Sequence, residues 1–599
     1  MYLTIRRTLA AFLLVAGVSA TVFPPAPDGL TTIQSVSYPK VSISYKQTQI
    51  CETTPGVKSF NGYVNLPPNL IPGQDYPIHS FFWFFEARNN FENAPLSLWL
   101  QGGPGSPSVG AALGENGPCS VNEDSQTTQL NPWSWNNEVN MLYIDQPVQT
   151  GFSYDTLVNG TINQIKSPFL VDVQKPSQSA LPPNNVTVLA GTFPSQDNTT
   201  TANTTSIAAQ ATWYFLQTWI KEFPEYKKND NRFSIWAESY GGHYGPTFAS
   251  YFEAQNQLIA AGNISSPAIE LHIDTLGLIN ACIDSGIQTA TYPVFAFNNT
   301  YGLQGINETE YQTAVAAIPK CQSLTETCRT MGDNLDPEGW GNNPQVNEAC
   351  AAAFQFCFGQ LWNPFNAKGH DVFDFVRAKP NPFPPKFAAG YLNTREVQLA
   401  LGVPLNFTGL SSAVDQAFIA TGDFIRGHNL EILGQLLDSG IKVALVYGDR
   451  DYQCNWIGGE QVSLAIQSAS STGFGAAGYA NISTNDTYVG GVVRQYGNLS
   501  FSRVFDAGHQ VPYYQPETAY RIFQRAMFNT DVATGRIATG AAANYTTTGP
   551  SSSFDIKNAV PPPPLPLCYT WDVFETCTDA QKLLLDNGSA VVRDFIVVG

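Results

Sequence analysis

The sequence is poor in charged residues, and in basic residues above all. Only 13% of its 599 residues are charged, and 48 acidic residues against 30 basic ones give a net charge of -18 at pH 7. Binding to a nucleic acid or to an anionic membrane surface requires a basic patch, so we expect neither as a partner. The acidic balance indicates a protein that stays soluble in an acidic medium.

Long hydrophobic runs are also missing. The apolar run at residues 9–18 is too short to span a bilayer, and no later run reaches about 20 residues without a polar interruption. This run follows Arg6 and Arg7 and ends at the small residues of a cleavage pattern, which predicts a signal peptide over residues 1–20. We therefore expect a secreted, extracellular protein, with the vacuole and the cell wall as less favoured destinations.

Sequons for N-glycosylation are frequent, as expected for an exported protein with glycosylated surface loops. Their asparagines are Asn159, Asn185, Asn198, Asn203, Asn263, Asn298, Asn307, Asn406, Asn481, Asn485, Asn498, Asn544 and Asn587.

Motifs for cofactors and metals are not found where they would be expected. The glycine-rich turn at residues 102–105 lacks the lysine and serine of a P-loop and is not a G-x-G-x-x-G. The cysteines between residues 321 and 357 include no Cys-x-x-Cys and have no nearby histidine, which argues against zinc. We expect no cofactor and no metal.

The segment FSIWAESYGGHYGP, residues 233–246, has the pattern of a nucleophile elbow. A β-branched and aromatic run stops at Ser239, and a helix-compatible stretch follows. In such a turn the serine backbone is strained, so that its hydroxyl projects above the sheet while strand and helix nearly touch. The residues two before and two after the serine must be small, and here they are Ala237 and Gly241. The usual pattern has glycine at both places, so Ala237 is a departure by one methyl group.

Chain order indicates the partners of this serine. Hydrolases with such an elbow carry their triad in the order Ser, then Asp or Glu, then His. A second strand-like run is followed by Asp449 and Asp451. In open α/β sheets the catalytic residues lie at the carboxyl ends of the strands, which is where these aspartates are expected. His509 is the only histidine that follows both aspartates. The residues alone leave open which aspartate contacts the imidazole.

An oxyanion hole needs one backbone N–H from the residue after the nucleophile and one from the loop after an earlier strand. Tyr240 is placed to provide the first donor. The second is expected from LSLWLQGGPGSPS, residues 96–108, where a short buried strand runs into glycines whose missing side chains let amides approach a ligand.

Seven segments in the same order resemble the serine carboxypeptidase family, over about residue 50 to about residue 530. They are FFWFFEARNNFENAPLSLWLQGGPG, ENGPCS, NPWSWN, YIDQPVQTGFSY, AESYGGHYGP, YGDRDYQCNW and AGHQVP. The long Asn/Thr-rich insert before the elbow strand is similar to the fungal carboxypeptidase S type. The resemblance implies an α/β-hydrolase fold with a mixed, mostly parallel sheet flanked by helices. It also implies release of single amino acids from peptide C-termini through an acyl-enzyme at acidic pH.

The resemblance assigns catalytic roles position by position. It implies Ser239 as nucleophile, His509 as general base, Asp451 as the acid that orients the imidazole, and Gly103 and Tyr240 as oxyanion donors. Asp449 stays the competing acid.

The resemblance also implies a site for the free carboxylate of a peptide substrate. The matching residues are Trp99, Gln101, Glu115 and Glu238, with Gln101 where the family usually has asparagine. A glutamate can hold a carboxylate only if the pair shares a proton, since two adjacent anions in a partly dry site repel. Tight binding of peptides with a free C-terminal carboxylate should therefore be confined to acidic pH.

Two further positions belong to the substrate pocket by resemblance, Gln510 and Cys454. In the family the position of Cys454 carries a free thiol. The sequence leaves open whether Cys282 is bonded to Cys454 or is a second free thiol.

The other cysteines predict disulfides, as is usual in an exported chain. The expected pairs are Cys51 with Cys119, Cys321 with Cys357, Cys328 with Cys350, and Cys568 with Cys577. The two nested pairs would staple two short helices.

The predicted organisation is one catalytic domain over residues 21–530, with a disulfide-stapled helical insertion over the active site at about residues 285–385. Strands are expected near residues 97–100, 139–145, 232–237, 273–279, 442–447 and 501–505, and a helix is expected from the spacing of Ala208, Ala211, Phe215 and Trp219. Residues 155–205 are interpreted as a long loop. Residues 531–599 are expected to form a linker with an extended polyproline stretch and a C-terminal extension.

Other functions remain open from the sequence. A secreted lipase or esterase shares the elbow and the triad order, but it has no use for a glutamate cluster beside the nucleophile. A non-catalytic binding protein and an acyltransferase, each built on the same scaffold, also fit the sequence. The oligomeric state is not predicted.

Overall fold

The computed structural model describes residues 23–178, 180–226, 229–264, 268–539 and 545–599. The predicted signal peptide and Asn544 lie outside the described residues. The strands are β1 (Thr31–Gln34), β2 (Ser42–Thr48), β3 (Ser59–Leu66), β4 (Ile78–Phe85), β5 (Leu96–Leu100), β6 (Cys119–Val121), β7 (Thr128–Leu130), β8 (Asn140–Ile144), β9 (Leu157–Asn163), β10 (Ser167–Val173), β11 (Val188–Pro194), β12 (Arg232–Glu238), β13 (His272–Ile279), β14 (Lys442–Gly448), β15 (Ala480–Ser483), β16 (Val489–Tyr496), β17 (Leu499–Val504), β18 (Val592–Arg593) and β19 (Ile596–Val597).

Helices connect and cover these strands. They are α1 (Val109–Ala112), α2 (Thr205–Glu222), α3 (Gly241–Ala260), α4 (Ser285–Gln288), α5 (Tyr292–Phe297), α6 (Glu308–Leu335), α7 (Pro344–Cys357), α8 (Asn363–Asn366), α9 (Phe387–Leu392), α10 (Arg395–Leu401), α11 (Ser412–Thr421), α12 (Asn429–Asp438), α13 (Trp456–Ala465), α14 (Ser471–Ala476), α15 (Val511–Tyr514), α16 (Pro516–Met527), α17 (Val573–Thr576) and α18 (Asp579–Asp586). Among the described residues, no helix is both long and apolar enough to cross a membrane.

The central sheet has twelve strands in the order β1-β2-β3-β4-β8-β5-β12-β13-β14-β17-β16-β15. The six strands from β8 to β17 in this order run parallel, and antiparallel strands extend the sheet on both sides. Parallel strands are covered by helices on both faces, which explains why every residue of β5 and β14 is buried. This is the mixed α/β sheet that the sequence predicted.

The predicted elements of this sheet are confirmed. The six expected strands are β5, β8, β12, β13, β14 and β17, with bounds within two residues of those expected. The expected helix is α2, and Ala208, Phe215 and Trp219 are buried on one face of it, while Ala211 is half-buried. It begins after Thr204, whose side chain caps the N–H of Ile207, as is typical of a helix start.

The prediction of a long loop over residues 155–205 was wrong. Strands β9, β10 and β11 form an antiparallel sheet of three strands there, in the order β10-β9-β11. Valine, isoleucine, threonine and phenylalanine in LVNGTIN and VLAGTFP favour strands, and the asparagine, glycine and proline among them obscured that pattern.

Disulfides join the two long helices of the predicted insertion and also link other parts of the chain. Within residues 285–385 the long helices α6 and α7 pack together and are joined by Cys321–Cys357 and Cys328–Cys350. The pairs Cys51–Cys119 and Cys568–Cys577 also form as predicted. The chain after residue 545 packs against the body of the protein, and its polyproline stretch at residues 561–564 has no helix or strand.

Candidate active site

Ser239 lies in a sharp turn between β12 and α3. Its backbone φ of 64° falls in the left-handed region, which non-glycine residues seldom occupy. Its N–H donates to the carbonyl of Ile279 at 3.0 Å, which ties the turn to β13. A Cβ on Gly241 would lie 2.6 Å from the Cβ of Ala237, so only small residues fit at these two positions. The turn has the strain and the close packing expected of a nucleophile elbow.

His509 and Asp451 form a buried pair. Nδ1 of His509 lies 2.8 Å from Oδ2 of Asp451, and both side chains are buried. The carboxylate also accepts hydrogen bonds from Nδ2 of Asn280 at 2.8 Å and from the N–H groups of Gln453 at 3.0 Å and Cys454 at 3.1 Å. These donors hold the carboxylate in one orientation. A carboxylate bound to Nδ1 leaves Nε2 of the imidazole available to accept a proton.

Asp449, the competing acid, contacts a different set of residues. Its Oδ2 lies 3.1 Å from Nη2 of Arg503 and accepts a hydrogen bond from Asn558 at 2.7 Å. Its Oδ1 accepts one from the hydroxyl of Tyr301 at 2.7 Å. Burial raises the pKa of Asp449 to about 6, although the charge of Arg503 has the opposite effect. Asp451 is therefore the aspartate in contact with His509.

The three predicted triad residues follow strands of one parallel block. Ser239, Asp451 and His509 come after β12, β14 and β17, and β13 lies between the first two strands. The carboxyl ends of parallel strands meet at one edge of the sheet. Residues after β13 connect them, because Asn280 donates to Asp451 and the N–H of Cys282 donates to the carbonyl of Ser239 at 3.0 Å. Sequence reasoning missed Asn280, whose only signal is its place directly after a central strand.

The glycine-rich loop after β5 lies against the elbow. A Cβ on Gly102 would lie 2.4 Å from the backbone nitrogen of Tyr240 and 2.7 Å from the Cβ of Ser239. Gly103 follows with a φ of 107°, which favours glycine. No described residue accepts a hydrogen bond from the backbone N–H of Gly103 or Tyr240. The loop of Gly103 and the N–H of Tyr240 thus lie next to each other at the elbow, and neither of the two N–H groups is used by another described residue, as an oxyanion hole requires.

The side chain of Tyr240 is anchored away from this contact. Its hydroxyl donates to Oδ2 of Asp423, which also accepts a hydrogen bond from the hydroxyl of Thr205 at 2.5 Å. Burial, followed by the charge of Asp423, raises the pKa of Tyr240 well above its ordinary value. The tyrosine therefore stays protonated and keeps this hydrogen bond. Asp423 was not predicted, because nothing in the local sequence links it to the elbow.

The predicted carboxylate-binding residues lie together beside the elbow. Nε1 of Trp99 donates to Gln101 at 3.0 Å, and Nε2 of Gln101 donates to Oε1 of Glu238 at 2.7 Å. The longer stem of Gln101, compared with the usual asparagine, still reaches this glutamate. Nε2 of Gln510 donates to Oε1 of Glu115 at 2.5 Å. The structure thus brings together all four predicted residues and the pocket residue Gln510.

The two glutamates form one buried acid pair. Their side chains are close enough for the charge of one to raise the pKa of the other, and Oε2 of each accepts no hydrogen bond from a described residue. Burial raises the pKa of Glu115 to about 7, although its hydrogen bonds act in the opposite direction. Burial, followed by the charge of Glu115, raises the pKa of Glu238 well above its usual range. Glu238 therefore keeps its proton, and Glu115 takes one up below neutral pH.

Cys454 is not a free thiol in this chain. It forms a disulfide with Cys282, with the two Cα atoms 5.1 Å apart, and its side chain is buried. The free thiol implied by the resemblance is therefore wrong here. The bond joins the loop that contacts the carbonyl of Ser239 to the loop that carries Asp451.

The sequon asparagines differ in exposure. Nine are exposed, namely Asn159, Asn185, Asn198, Asn263, Asn298, Asn307, Asn481, Asn485 and Asn587, whereas Asn203, Asn406 and Asn498 are half-buried. The Nδ2 of Asn406, the atom that would carry a glycan, donates to Oδ1 of Asn393 at 3.3 Å, which makes Asn406 a poor place for a glycan.

A strained serine after a central parallel strand, with a later aspartate–histidine pair after strands of the same block, is the arrangement of a serine-type α/β hydrolase. Residues 50–529 match the family model described as serine carboxypeptidase. The chain belongs to this family and is a peptide hydrolase.

Curated relatives agree with this assignment, and one solved structure has the same fold. Carboxypeptidase S1 homolog B of Arthroderma otae is 48% identical over 608 residues, which cover 99% of this chain and 92% of the relative. Carboxypeptidase S1 of Penicillium janthinellum is 34% identical, over 80% of this chain and 97% of the relative. The crystal structure of the Saccharomyces cerevisiae prohormone-processing carboxypeptidase Kex1 superposes with a TM-score of 0.59 at 23% identity, over 78% of this chain and 91% of that chain. This similarity shows that the fold is the same.

Proposed function

We propose that this enzyme removes single amino acids from the C-termini of peptides, through an acyl-enzyme intermediate and at acidic pH. The observation that carries the proposal is the buried acid pair of Glu115 and Glu238, directly beside Ser239. An exopeptidase must recognise a free carboxylate one residue beyond the bond that it cleaves, whereas an endopeptidase or an esterase has no use for such a pair.

The elbow at Ser239 and the contact of His509 with Asp451 support the following catalytic roles. Oγ of Ser239 forms a bond to the carbon of the last peptide carbonyl while His509 takes the hydroxyl proton at Nε2. Asp451 holds the imidazole and stabilises its protonated form, and the N–H groups of Gly103 and Tyr240 stabilise the oxyanion. As the C–N bond breaks, His509 gives its proton to the leaving amino acid. Water then attacks the acyl-enzyme by the same steps and releases the shortened peptide.

The acid pair provides the recognition of the substrate carboxylate. Glu238 is protonated over a wide pH range, and Glu115 is protonated below its raised pKa of about 7. Two protonated glutamates can donate two hydrogen bonds to a carboxylate without placing like charges together. Above that pH an ionised Glu115 repels the substrate carboxylate. Gln101 and Trp99 keep the oxygens of Glu238 in place.

We also propose an exported enzyme that acts on peptides outside the cell. The five disulfides and the exposed sequon asparagines support passage through the secretory route. Its catalytic domain would span residues 21–530 with the insertion at residues 285–385, and residues 531–599 would form the C-terminal extension.

The test is to incubate the purified protein with a mixed peptide library at about pH 5, below the raised pKa of Glu115, and to follow peptide masses over time. Stepwise loss of single residues from the C-terminus is expected, together with labelling of Ser239 by a fluorophosphonate. S239A should lose both, and S234A is the matched control because Ser234 is buried in β12, the strand that precedes Ser239. Internal cleavage, or hydrolysis of esters alone, would contradict the proposal.

A further inference from the structure

A C-terminal strap, defined here as residues 545–562, lies beyond the family match, which ends at residue 529. At its start the N–H of Thr547 donates to the carbonyl of Gln495 at 3.0 Å, beside β16. At its end Nη2 of Arg377, in the insertion, donates to the carbonyl of Pro562 at 2.7 Å. The strap therefore runs from the edge of the central sheet to the insertion.

The middle of the strap surrounds the guanidinium of Arg503. This group pairs with Asp449 at 3.1 Å, and both side chains are 0% exposed. The carbonyls of Ser553 and Ile556, both in the strap, accept hydrogen bonds from Arg503 at 2.6 and 3.1 Å. The cost of burying an ion pair is reduced when hydrogen bonds satisfy its remaining donors and acceptors, as they do here at Nη1 and Nη2 of Arg503. The strap supplies acceptors for this cation.

Asn558, also in the strap, donates a hydrogen bond to Asp449, the acid of the ion pair with Arg503. Its Nδ2 donates to Oδ2 of Asp449 at 2.7 Å and lies 3.3 Å from the hydroxyl of Tyr301. The other carboxylate oxygen of Asp449 accepts a hydrogen bond from the N–H of Asp506 at 3.0 Å. Asp449 is thus held between the strap on one side and the loop after β17 on the other.

These contacts reach both loops that carry the proposed acid and base. Asp449 precedes Asp451 by two residues, and Asp506 precedes His509 by three. A shift of the Asp449 carboxylate would therefore move both loops with respect to Ser239. Displacements of about 1 Å in supporting residues can lower rates about a hundredfold.

We propose that Asn558 is a positioning residue for the peptidase reaction, which acts through Asp449 on the loops of Asp451 and His509. The C-terminal strap is then a working part of the catalytic unit and not a dispensable tail. This inference rests on the proposed function, since it assigns Asp451 and His509 their roles.

The first test is N558L, which removes the amide donor at similar volume. We expect kcat and the rate of fluorophosphonate labelling to fall about tenfold, with KM for a peptide little changed, because only loop geometry is altered. The matched control is D555L, because Asp555 is exposed in the same strap. Thermal unfolding of each variant shows that the assays are run on folded protein. If N558L does not fold, N558S, which keeps a hydroxyl, replaces it.

A second variant, N558D, gives a readout that a structural role would not produce. It places a second carboxyl group against Asp449, among the other groups that face it, which are Arg503, Tyr301 and Asp506. When the new side chain is ionised it repels Asp449, and when protonated it again offers a donor. We expect the kcat of N558D, relative to the unchanged enzyme, to recover as pH falls.

The outcomes separate this inference from the proposed function. If the unchanged enzyme releases no C-terminal residues, the proposed function fails. If the unchanged enzyme is active and folded N558L keeps its kcat and labelling rate, the positioning role of Asn558 is overturned while the proposed function stands. A loss in N558D that is the same at every pH also contradicts the inference.

Discussion

The amide of Gln510 donates a hydrogen bond of 2.5 Å to Oε1 of Glu115. Gln510 directly follows His509, so this bond joins the acid pair to the loop that carries the imidazole. A donor favours the ionised form of a carboxyl group, so Gln510 holds the pKa of Glu115 below the value that burial alone would give. The proposed base, His509, is thus adjacent in the chain to Gln510, which contacts the proposed recognition site at Glu115.

The first prediction concerns pH. Glu115 has a raised pKa of about 7, and in the proposed function it binds a substrate carboxylate when protonated. Affinity for a peptide with a free carboxylate should therefore be full below that pH and fall as pH rises through it. An amidated analogue of the same peptide should not show this loss. Inhibition constants of the two peptides across the pH range test this, and an equal decline of both would remove the acid pair from carboxylate recognition.

The second prediction concerns the bond described above. Q510L removes a donor that lowers the pKa of Glu115, so the pKa should rise. The midpoint of the fall in affinity should then move to higher pH, which is measured with the same free-carboxylate peptide. Q524L is the control, because Gln524 donates to Glu138 on another part of the surface. A midpoint that stays unchanged, or moves to lower pH, would contradict this role of Gln510.

The third prediction concerns the oxyanion donors. G102A would place a methyl group 2.4 Å from the backbone nitrogen of Tyr240, so the loop and the elbow would have to move apart and the proposed donors would lose their alignment. Loss of one such donor lowers kcat about a hundredfold to a thousandfold. G110A is the control, because a Cβ on Gly110 meets no atom within 4 Å. Steady-state kinetics compare the two variants, and equal kcat values would place the oxyanion elsewhere.

The fourth prediction concerns the Cys282–Cys454 disulfide. A mercurial should not inhibit the oxidised enzyme, because both thiols are bonded, and should inhibit it after reduction. The double variant C282S/C454S should have a lower kcat, because the bond joins the loops at Ser239 and Asp451. The pair C568S/C577S is the control, since that disulfide lies in the C-terminal extension. Inhibition of the oxidised enzyme would show that Cys454 is free.

The sequence predicts those features of the site that are marked by a local residue pattern or by the order of the motifs along the chain. Ser239 and His509 could be found because an elbow has a steric signature and because a single histidine follows both aspartates. The six central strands could be found because strands buried on both faces are almost wholly apolar. The strands β9 to β11 were missed because they pair only with one another and carry polar residues.

Contacts that no motif or resemblance marks could not be predicted. Asn280 and Asp423 contact the site from segments far along the chain from its motifs, and no spacing rule links them to it. The pairing of Cys454 depends on the fold bringing Cys282 within reach, 172 residues away along the chain. The distinction between Asp449 and Asp451 depends on Arg503 and Asn558, which both contact the carboxylate of Asp449.

The last prediction is that substitution of Asp451 mainly lowers kcat, whereas substitution of Asp449 mainly lowers stability. D451N keeps the size of the side chain but removes the charge at Nδ1 of His509, so kcat should fall about ten-thousandfold. Its NH2 group leaves one buried N–H donor without an acceptor, so stability should fall by about 1–3 kcal/mol, less than in D449N. Above its pKa of about 6 Asp449 carries the counter-charge of Arg503, so at such pH D449N leaves a buried cation unpaired, and breaking such a pair costs about 3–5 kcal/mol of the free energy of unfolding.

Denaturant unfolding and kcat per folded molecule distinguish the two effects. The expected pattern is a nearly inactive D451N and a less stable D449N whose folded fraction loses much less activity. The reverse pattern would make Asp449 the acid that orients the imidazole. That result would require the loop after β14 to rearrange, because Oδ2 of Asp451 lies 2.8 Å from His509 while Asp449 is held by Arg503 and Tyr301.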